Sequence, residues 1–334
     1  MLGIRFSLIR WLTVAYDFAW KFNAYSHRLY STNYTELMTQ PQPINQPRLM
    51  RFATYASVTV AVVLIAVKAY AWWLTSSVSM LATLIDSSLD LLASLITLFA
   101  VWHSLRPADK EHRFGHGKAE PLAAAAQSVF VAGSALLLLH QAVDRLIHPK
   151  VLEQGLDIGI IVMLIAIGLT SILLSFQRYV IKHTQSTAIR ADALHYKTDL
   201  LVNMGVIVAL VMTLFGWQHV DAIIGLLIAF YILHSAWEIV QSSIDLLMDR
   251  ELPDDQRALI KEVVLSHPSV QGIHALRTRR SGLTRFIQFH LELDEKLSLG
   301  EAHRISKTLE SELKQRLGAV EVIIHEQPAR KRQQ

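Results

Sequence analysis

The chain has 334 residues, of which 52% are apolar and 18% charged, and it contains no cysteine. So apolar a composition is rare in soluble domains and points to a membrane protein. A formal net charge of +4, with no basic stretch interleaved with aromatics, argues against a nucleic-acid partner, and without cysteine any metal site must use oxygen and nitrogen.

Residues 1–47 form an N-terminal extension. Phe6 to Phe22 is apolar but broken by Arg10, Asp17 and Lys21, and two readings stand: an interfacial amphipathic helix, or a biological start at Met38. Gln40-Pro41-Gln42-Pro43 is a flexible polar lead-in. From there to about residue 250 the chain offers six apolar spans of roughly the 20 residues that a ~30 Å hydrocarbon core demands. They run from about Phe52 to Leu74, Met80 to Leu105, Glu120 to Ile147, Leu156 to Val180, Ala188 to Phe215 and Val220 to Met248.

Lys and Arg accumulate in two of the links. Arg106, Lys110, Arg113 and Lys118 follow span two, and Arg178, Lys182 and Arg190 surround the join of spans four and five. The alternate links, Thr75 to Val78, His148 to Gly155 and Gly216 to His219, hold only Lys150. Cytoplasmic loops collect positive charge, so both termini are expected in the cytoplasm.

Beyond Asp249 the character changes to that of a small soluble domain over residues 251–327, followed by a basic tail at 328–334. Glu251, Pro253, Asp254 and Asp255 open an amphipathic helix to about Leu265. Val270 to Arg277 and the alternating Arg285 to Leu293 read as strands with a turn at Ser281-Gly282. Leu299 to Leu317 has helical periodicity, and Val320 to His325 is a last short strand. The order α-β-β-α-β suits two helices on one face of a three-stranded sheet. The fold class is therefore an α-helical membrane protein with six transmembrane helices plus a small cytoplasmic α+β domain.

The costly residues lie inside the spans. Asp86 and Asp90 sit in span two, and His195 and Asp199 at the head of span five, each pair spaced i, i+4 and so on one helix face. Ionisable groups in hydrocarbon cost several kcal/mol and rarely lack a partner and a role. Three carboxylates and an imidazole match the ligand count of a tetrahedral divalent-metal site; polar packing between helices is the competing reading.

Leu81 to Asp90 (LATLIDSSLD), Phe114 to Glu120 (FGHGKAE), Ile189 to Asp199 (IRADALHYKTD) and Arg277 to His290, in this order and spacing, resemble the cation diffusion facilitator family over about Arg48 to Gln327. The resemblance implies a homodimeric Zn²⁺/H⁺ antiporter of the bacterial inner membrane whose cytoplasmic domain binds further zinc. It places the transport site on Asp86, Asp90, His195 and Asp199. It also implies a loop site on Asp109, His112 and His116, three ligands with an open fourth position, where a solvated basic turn is the other reading. In the cytoplasmic domain it implies metal at His274, His290, His303 and His325, where a pair of zinc ions braces the dimer with an aspartate two residues after the last histidine. This chain has Gln327 there, a poor zinc ligand, so three readings stand for one of the two ions: weaker, absent, or served by the neighbouring carboxylate Glu326. Lys118 and Asp249 match an inter-helix charge pair near the membrane surface; two solvated charges would look the same.

Carboxylates and imidazole must lose protons to bind metal and regain them on release, so metal and protons compete for one site. His195 is the natural exchange group. One imidazole among three carboxylates suits Zn²⁺ and Cd²⁺ and admits Fe²⁺. A membrane metalloenzyme is the alternative class, without a His-Glu-x-x-His pair to support it. A channel is a third, disfavoured because a complete four-ligand cage holds an ion too tightly for fast permeation.

Overall fold

The computed structural model describes residues 45–76, 78–148, 157–214 and 220–329; most of the N-terminal extension, the Gly216–His219 link, nearly all of the His148–Gly155 link and most of the basic tail fall outside these. Six long helices come first: α1 Gln46–Thr75, α2 Val78–Ser104, α3 Ala119–Ile147, α4 Asp157–Thr184, α5 Thr187–Leu214 and α6 Val220–Leu247. Helix α1 starts where the local chemistry favours it. Pro47 occupies the first turn, and the Asn45 side chain accepts the Arg48 N–H, satisfying a donor that the helix itself leaves free.

Five of the six helices are long and apolar enough to cross a membrane. The other is α5, 28 residues long, whose first half carries Arg190, Asp192, His195, Lys197 and Asp199. Its position explains the difference. Helix α5 packs against each of the other five, and residues 191–196 are all buried, so Asp192 and His195 face protein and not lipid. The outer faces of the others are apolar: Phe52, Leu137, Ile172 and Trp237 are all exposed, as a hydrocarbon solvent permits and water does not.

Small residues set the helix contacts. Along α6, Ala222, Ala229, Ala236 and Ser243 recur every seventh residue and are all buried. They meet a matching stripe on α3 that includes Ala124, Ser128, Ala135 and Ala142. Close backbone approach is what drives association where lipid tails are as apolar as the helices; a Cβ on Gly225 would stand 3.1 Å from that of Ala142.

The chain leaves the bundle through Asp249, in the left-handed region at φ 57, which Asp tolerates better than most residues. Then follow α7 Asp254–Leu265, β1 Gly272–Ser281, β2 Thr284–Leu293, α8 Leu299–Leu317 and β3 Val320–Pro328. The sheet order is β1-β2-β3, antiparallel between β1 and β2, which turn at Gly282, and parallel between β2 and β3, which α8 connects. Ser298 and Glu301 cap α8 reciprocally, the arrangement that satisfies two free donors at once.

Alternation along β2 divides the two faces. Ile287, Phe289, Leu291 and Leu293 enter a core with Ile260 and Val264 of α7 and Leu309, Leu313 and Leu317 of α8. Gln288, His290 and Glu292 point the other way, to the open face. The element order is the expected one, with β1 shifted toward the turn, Gly272–Ser281 against the expected Val270 to Arg277, and β3 extended from His325 to Pro328.

Candidate functional site

Helices α2 and α5 cross so that Asp90 meets His195 and Asp199. His195 Nε2 lies 2.9 Å from Asp90 Oδ1 and 4.0 Å from Asp199 Oδ2, and one ligand atom from each of the three falls within 4.8 Å of the others. Zinc bonds of ~2.0–2.2 Å at tetrahedral angles put ligand atoms about 3.4 Å apart, inside the observed spread. Asp86 is outside this group: it stands exposed one turn before Asp90. A cation is built in beside them. Lys68 of α1 donates to Ser87 Oγ at 2.6 Å and to the Thr83 carbonyl at 3.2 Å, on the turn that carries Asp86 and Asp90. Sequence reading passed over Lys68, although a lysine within an apolar span is itself a signal.

One helical turn toward the start of α5, Asp192 is buried at 1% exposure and anchors a polar knot from five helices. Its carboxyl accepts Ser57 Oγ at 2.6 Å and Gln177 Nε2 at 2.8 Å, and at longer range Ser94 Oγ and Gln127 Nε2, both at 3.4 Å. Tyr196 Oη shares a hydrogen bond with Ser94 at 2.8 Å and donates to the Ser57 carbonyl at 3.1 Å. The hydrogen-bond partners of Asp192 are hydroxyls and amides, with no basic side chain among them. Sequence reading missed Asp192 because its i, i+3 spacing to His195 was taken up by the motif around it; single Ser and Gln residues in spans carry no visible signal until packing assembles them.

The loop between α2 and α3 gathers Asp109, His112 and His116, again with ligand atoms within 4.8 Å of one another. His116 Nε2 is 3.2 Å from Asp109 Oδ2. The backbone N–H of His112 and that of Glu111 donate to Asp109 Oδ1, and these bonds, His112's foremost, hold the carboxyl below the usual carboxylate range. His116 is nearly buried, and its Nδ1 has no hydrogen-bond partner. A buried unsatisfied nitrogen is uncommon, and the other nitrogen of the same ring faces a carboxylate beside a second imidazole, a donor set that suits a divalent cation.

On the open face of the cytoplasmic sheet, His274, His290 and His325 lie opposite one another across β1, β2 and β3. Their neighbouring rings are 5.0 Å and 4.7 Å apart. The three form a row across the sheet, with the backbones of His274 and His325 two strands, about 10 Å, apart. Glu292 joins the row, its Oε1 3.0 Å from His274 Nδ1, and sequence reading overlooked it. Gln327 pairs with His274, Nε2 to Nε2 at 3.1 Å. Glu326 cannot substitute for it there, because alternation turns it to the other face, where it accepts Ser306 Oγ at 2.6 Å. His303 is exposed on α8 and does not join the row within this chain.

Between bundle and sheet, Lys118 and Asp249 form a salt bridge at 3.0 Å, and Arg279 of β1 reaches the same carboxylate at 3.3 Å. The pair therefore links α3, α6 and the cytoplasmic domain together. Partial burial pushes the Asp249 carboxyl upward, but the hydrogen bonds from Lys118 and Arg279 outweigh this and hold it low. Beside it the backbones touch: a Cβ on Gly117 would lie 2.6 Å from Gly282 N. Arg279 also lies over both Phe114 and Phe286, which pack edge to face, and Arg280 donates to Gln185 Oε1 and the Thr184 carbonyl.

A family model described as the cation efflux transmembrane domain matches residues 54–248, and one described as the cation efflux protein cytoplasmic domain matches residues 252–329. The chain is 48% identical over 281 residues to a protein of Pectobacterium atrosepticum named cation-efflux pump FieF, covering 84% of this chain and 93% of that one. A protein of the same name from Citrobacter koseri is 47% identical at the same coverage. Among solved structures, the metal-bound C-terminal domain of the CzcD transporter from Thermotoga maritima is 33% identical, covering 22% of this chain and 87% of that one, with a TM-score of 0.22.

Proposed function

This chain belongs to the cation efflux, or cation diffusion facilitator, family, and on that footing we propose that it is a Zn²⁺/H⁺ antiporter working by alternating access. The observation that carries the reading is the meeting of Asp90, His195 and Asp199, from two helices of an apolar bundle, with ligand atoms within 4.8 Å. Asp86, one turn from Asp90 on the same helix, is the fourth transport ligand in this reading and swings in when the ion arrives. The hydrogen bond between His195 Nε2 and Asp90 Oδ1 occupies the place that an incoming cation takes. Metal entry expels that proton and metal release recovers it, so the two cargoes exclude each other. Zn²⁺ is the first choice for one imidazole among carboxylates, with Cd²⁺ and Fe²⁺ as competing cargo.

The protein acts as a homodimer in the bacterial inner membrane, with both termini cytoplasmic, which the Lys and Arg content of the loops supports. The open sheet face bearing the histidine row and the exposed Ile323 is the dimer surface, and zinc held there by His274, His290 and His325, with His303 supplied across the interface, braces it. Asp109, His112 and His116 hold a further ion at the loop.

Reconstitution into liposomes tests the proposal. Zn²⁺ flux should rise with an imposed pH gradient and vanish in Asp199→Ala while the protein stays folded. Flux indifferent to the gradient refutes proton coupling, and normal transport by Asp199→Ala refutes the site.

A further inference from the structure

We propose that His103 is a fourth ligand of the loop site, so that the ion held by Asp109, His112 and His116 is closed in a tetrahedral His₃Asp cage with no open position. The inference rests on the loop reading above and concerns what completes it. His103 occupies the last turn of α2. The ring of His116 neighbours two other imidazoles, His112 with centroids 4.7 Å apart and His103 with centroids 4.6 Å apart. Two imidazoles on one zinc at ~2.0–2.1 Å, opened to the tetrahedral angle, have centroids about 5 Å apart. Both neighbours of His116 therefore stand at ligand spacing from it. The ring nitrogens of His103 have no hydrogen-bond partner among the described residues, and the ring is held only by stacking on Phe99 at 5.9 Å and by its edge contact with His116. His116 is itself buried, with Nε2 facing Asp109 Oδ2 at 3.2 Å and Nδ1 without a hydrogen-bond partner, so the ring keeps polar capacity that the protein does not satisfy, as a ligand site does. Closing the cage requires the His103 ring to advance on the Asp109, His112 and His116 group, which it adjoins without belonging to.

A closed site behaves differently from an open one. It binds tightly and exchanges slowly, as structural zinc sites do, and here it would fasten the end of α2 to the loop whose Gly117 rests on the β1–β2 turn. The loop ion becomes a brace between bundle and cytoplasmic domain, not a way station for cargo.

Co²⁺ is the probe, because its visible spectrum reports coordination number. In the whole protein in detergent, the Co²⁺ spectrum of the wild type minus that of His112→Ala isolates the loop site. That difference should show the intense bands of four-coordinate cobalt. His103→Phe keeps the ring packing against Phe99 and His116 but removes both nitrogens; it should weaken the bands and lower the loop affinity at least about tenfold. A His103→Phe protein with wild-type bands and affinity overturns the fourth ligand while leaving the loop site standing. No difference between wild type and His112→Ala overturns the loop site itself.

Discussion

Replacing Asp192 with alanine removes the acceptor on which four helices converge around α5. Ser57 Oγ at 2.6 Å and Gln177 Nε2 at 2.8 Å lose their nearest partner, while the two 3.4 Å contacts matter less. Each buried donor left unmade costs about 1–3 kcal/mol, so the pair costs about 2–6 kcal/mol before any cavity is counted. Ser57 can fall back on the Ala53 carbonyl at 3.1 Å, which argues for the lower half of that range. Asparagine should behave differently. Its amide oxygen in the Oδ2 position still accepts from Ser57 and Gln177 while its NH₂ group faces Ser94 Oγ, so the loss shrinks to about 1 kcal/mol. Unfolding of the purified protein by titration with SDS, followed by circular dichroism, measures the order. Wild type and Asp192→Asn should lie close together, with Asp192→Ala clearly lower. An alanine variant as stable as wild type would show that the five-helix knot contributes nothing and that its distances are incidental.

Gly117→Ala places a methyl group 2.6 Å from the Gly282 nitrogen, a backbone contact that cannot rotate away; the strain of about 1–3 kcal/mol should raise hydrogen exchange at residues 281–283, and unchanged exchange there would refute the contact. Gln327→Asp puts a carboxylate where an amide meets His274, and native mass spectrometry should show tighter zinc retention in the cytoplasmic domain; equal retention means the amide is no handicap. The Asp249 carboxyl is held low, so its contribution is complete above the ordinary carboxylate value and is lost as pH falls through the lower folded value. Both partners are more than a third exposed, so solvent screening leaves only a few tenths of a kcal/mol. The stability difference between wild type and Asp249→Asn should therefore be small near neutrality and vanish in acid; a gap that persists in acid would assign it to something other than charge.

Much of this architecture was legible because its causes are local. Apolar runs of membrane-spanning length, period-two alternation in β2 and the Ser298–Glu301 cap are each written within a few consecutive residues. The same holds for the i, i+4 pairs: a helix alone puts His195 and Asp199 on one face, whatever surrounds it. Glu326, one of the alternatives for the place of Gln327, is ruled out by an equally local reason. Adjacent strand residues face opposite ways, so a neighbour in sequence is the wrong neighbour in space, and the carboxylate on the right face is Glu292, one strand over.

The amino-acid sequence by itself determined the membrane class, the long helices, the order of the small α+β domain and the kinds of atom available to a metal. Tertiary structure alone decided which of those atoms meet. Asp90 reaches His195 across 105 residues, Asp192 collects Ser57 and Gln177 from two other helices, and His103 stands against His116, because helix packing depends on shape along whole faces and not on any short pattern. The same packing explains why α5 tolerates charge that would expel another helix from lipid: with five neighbours around it, its solvent is protein.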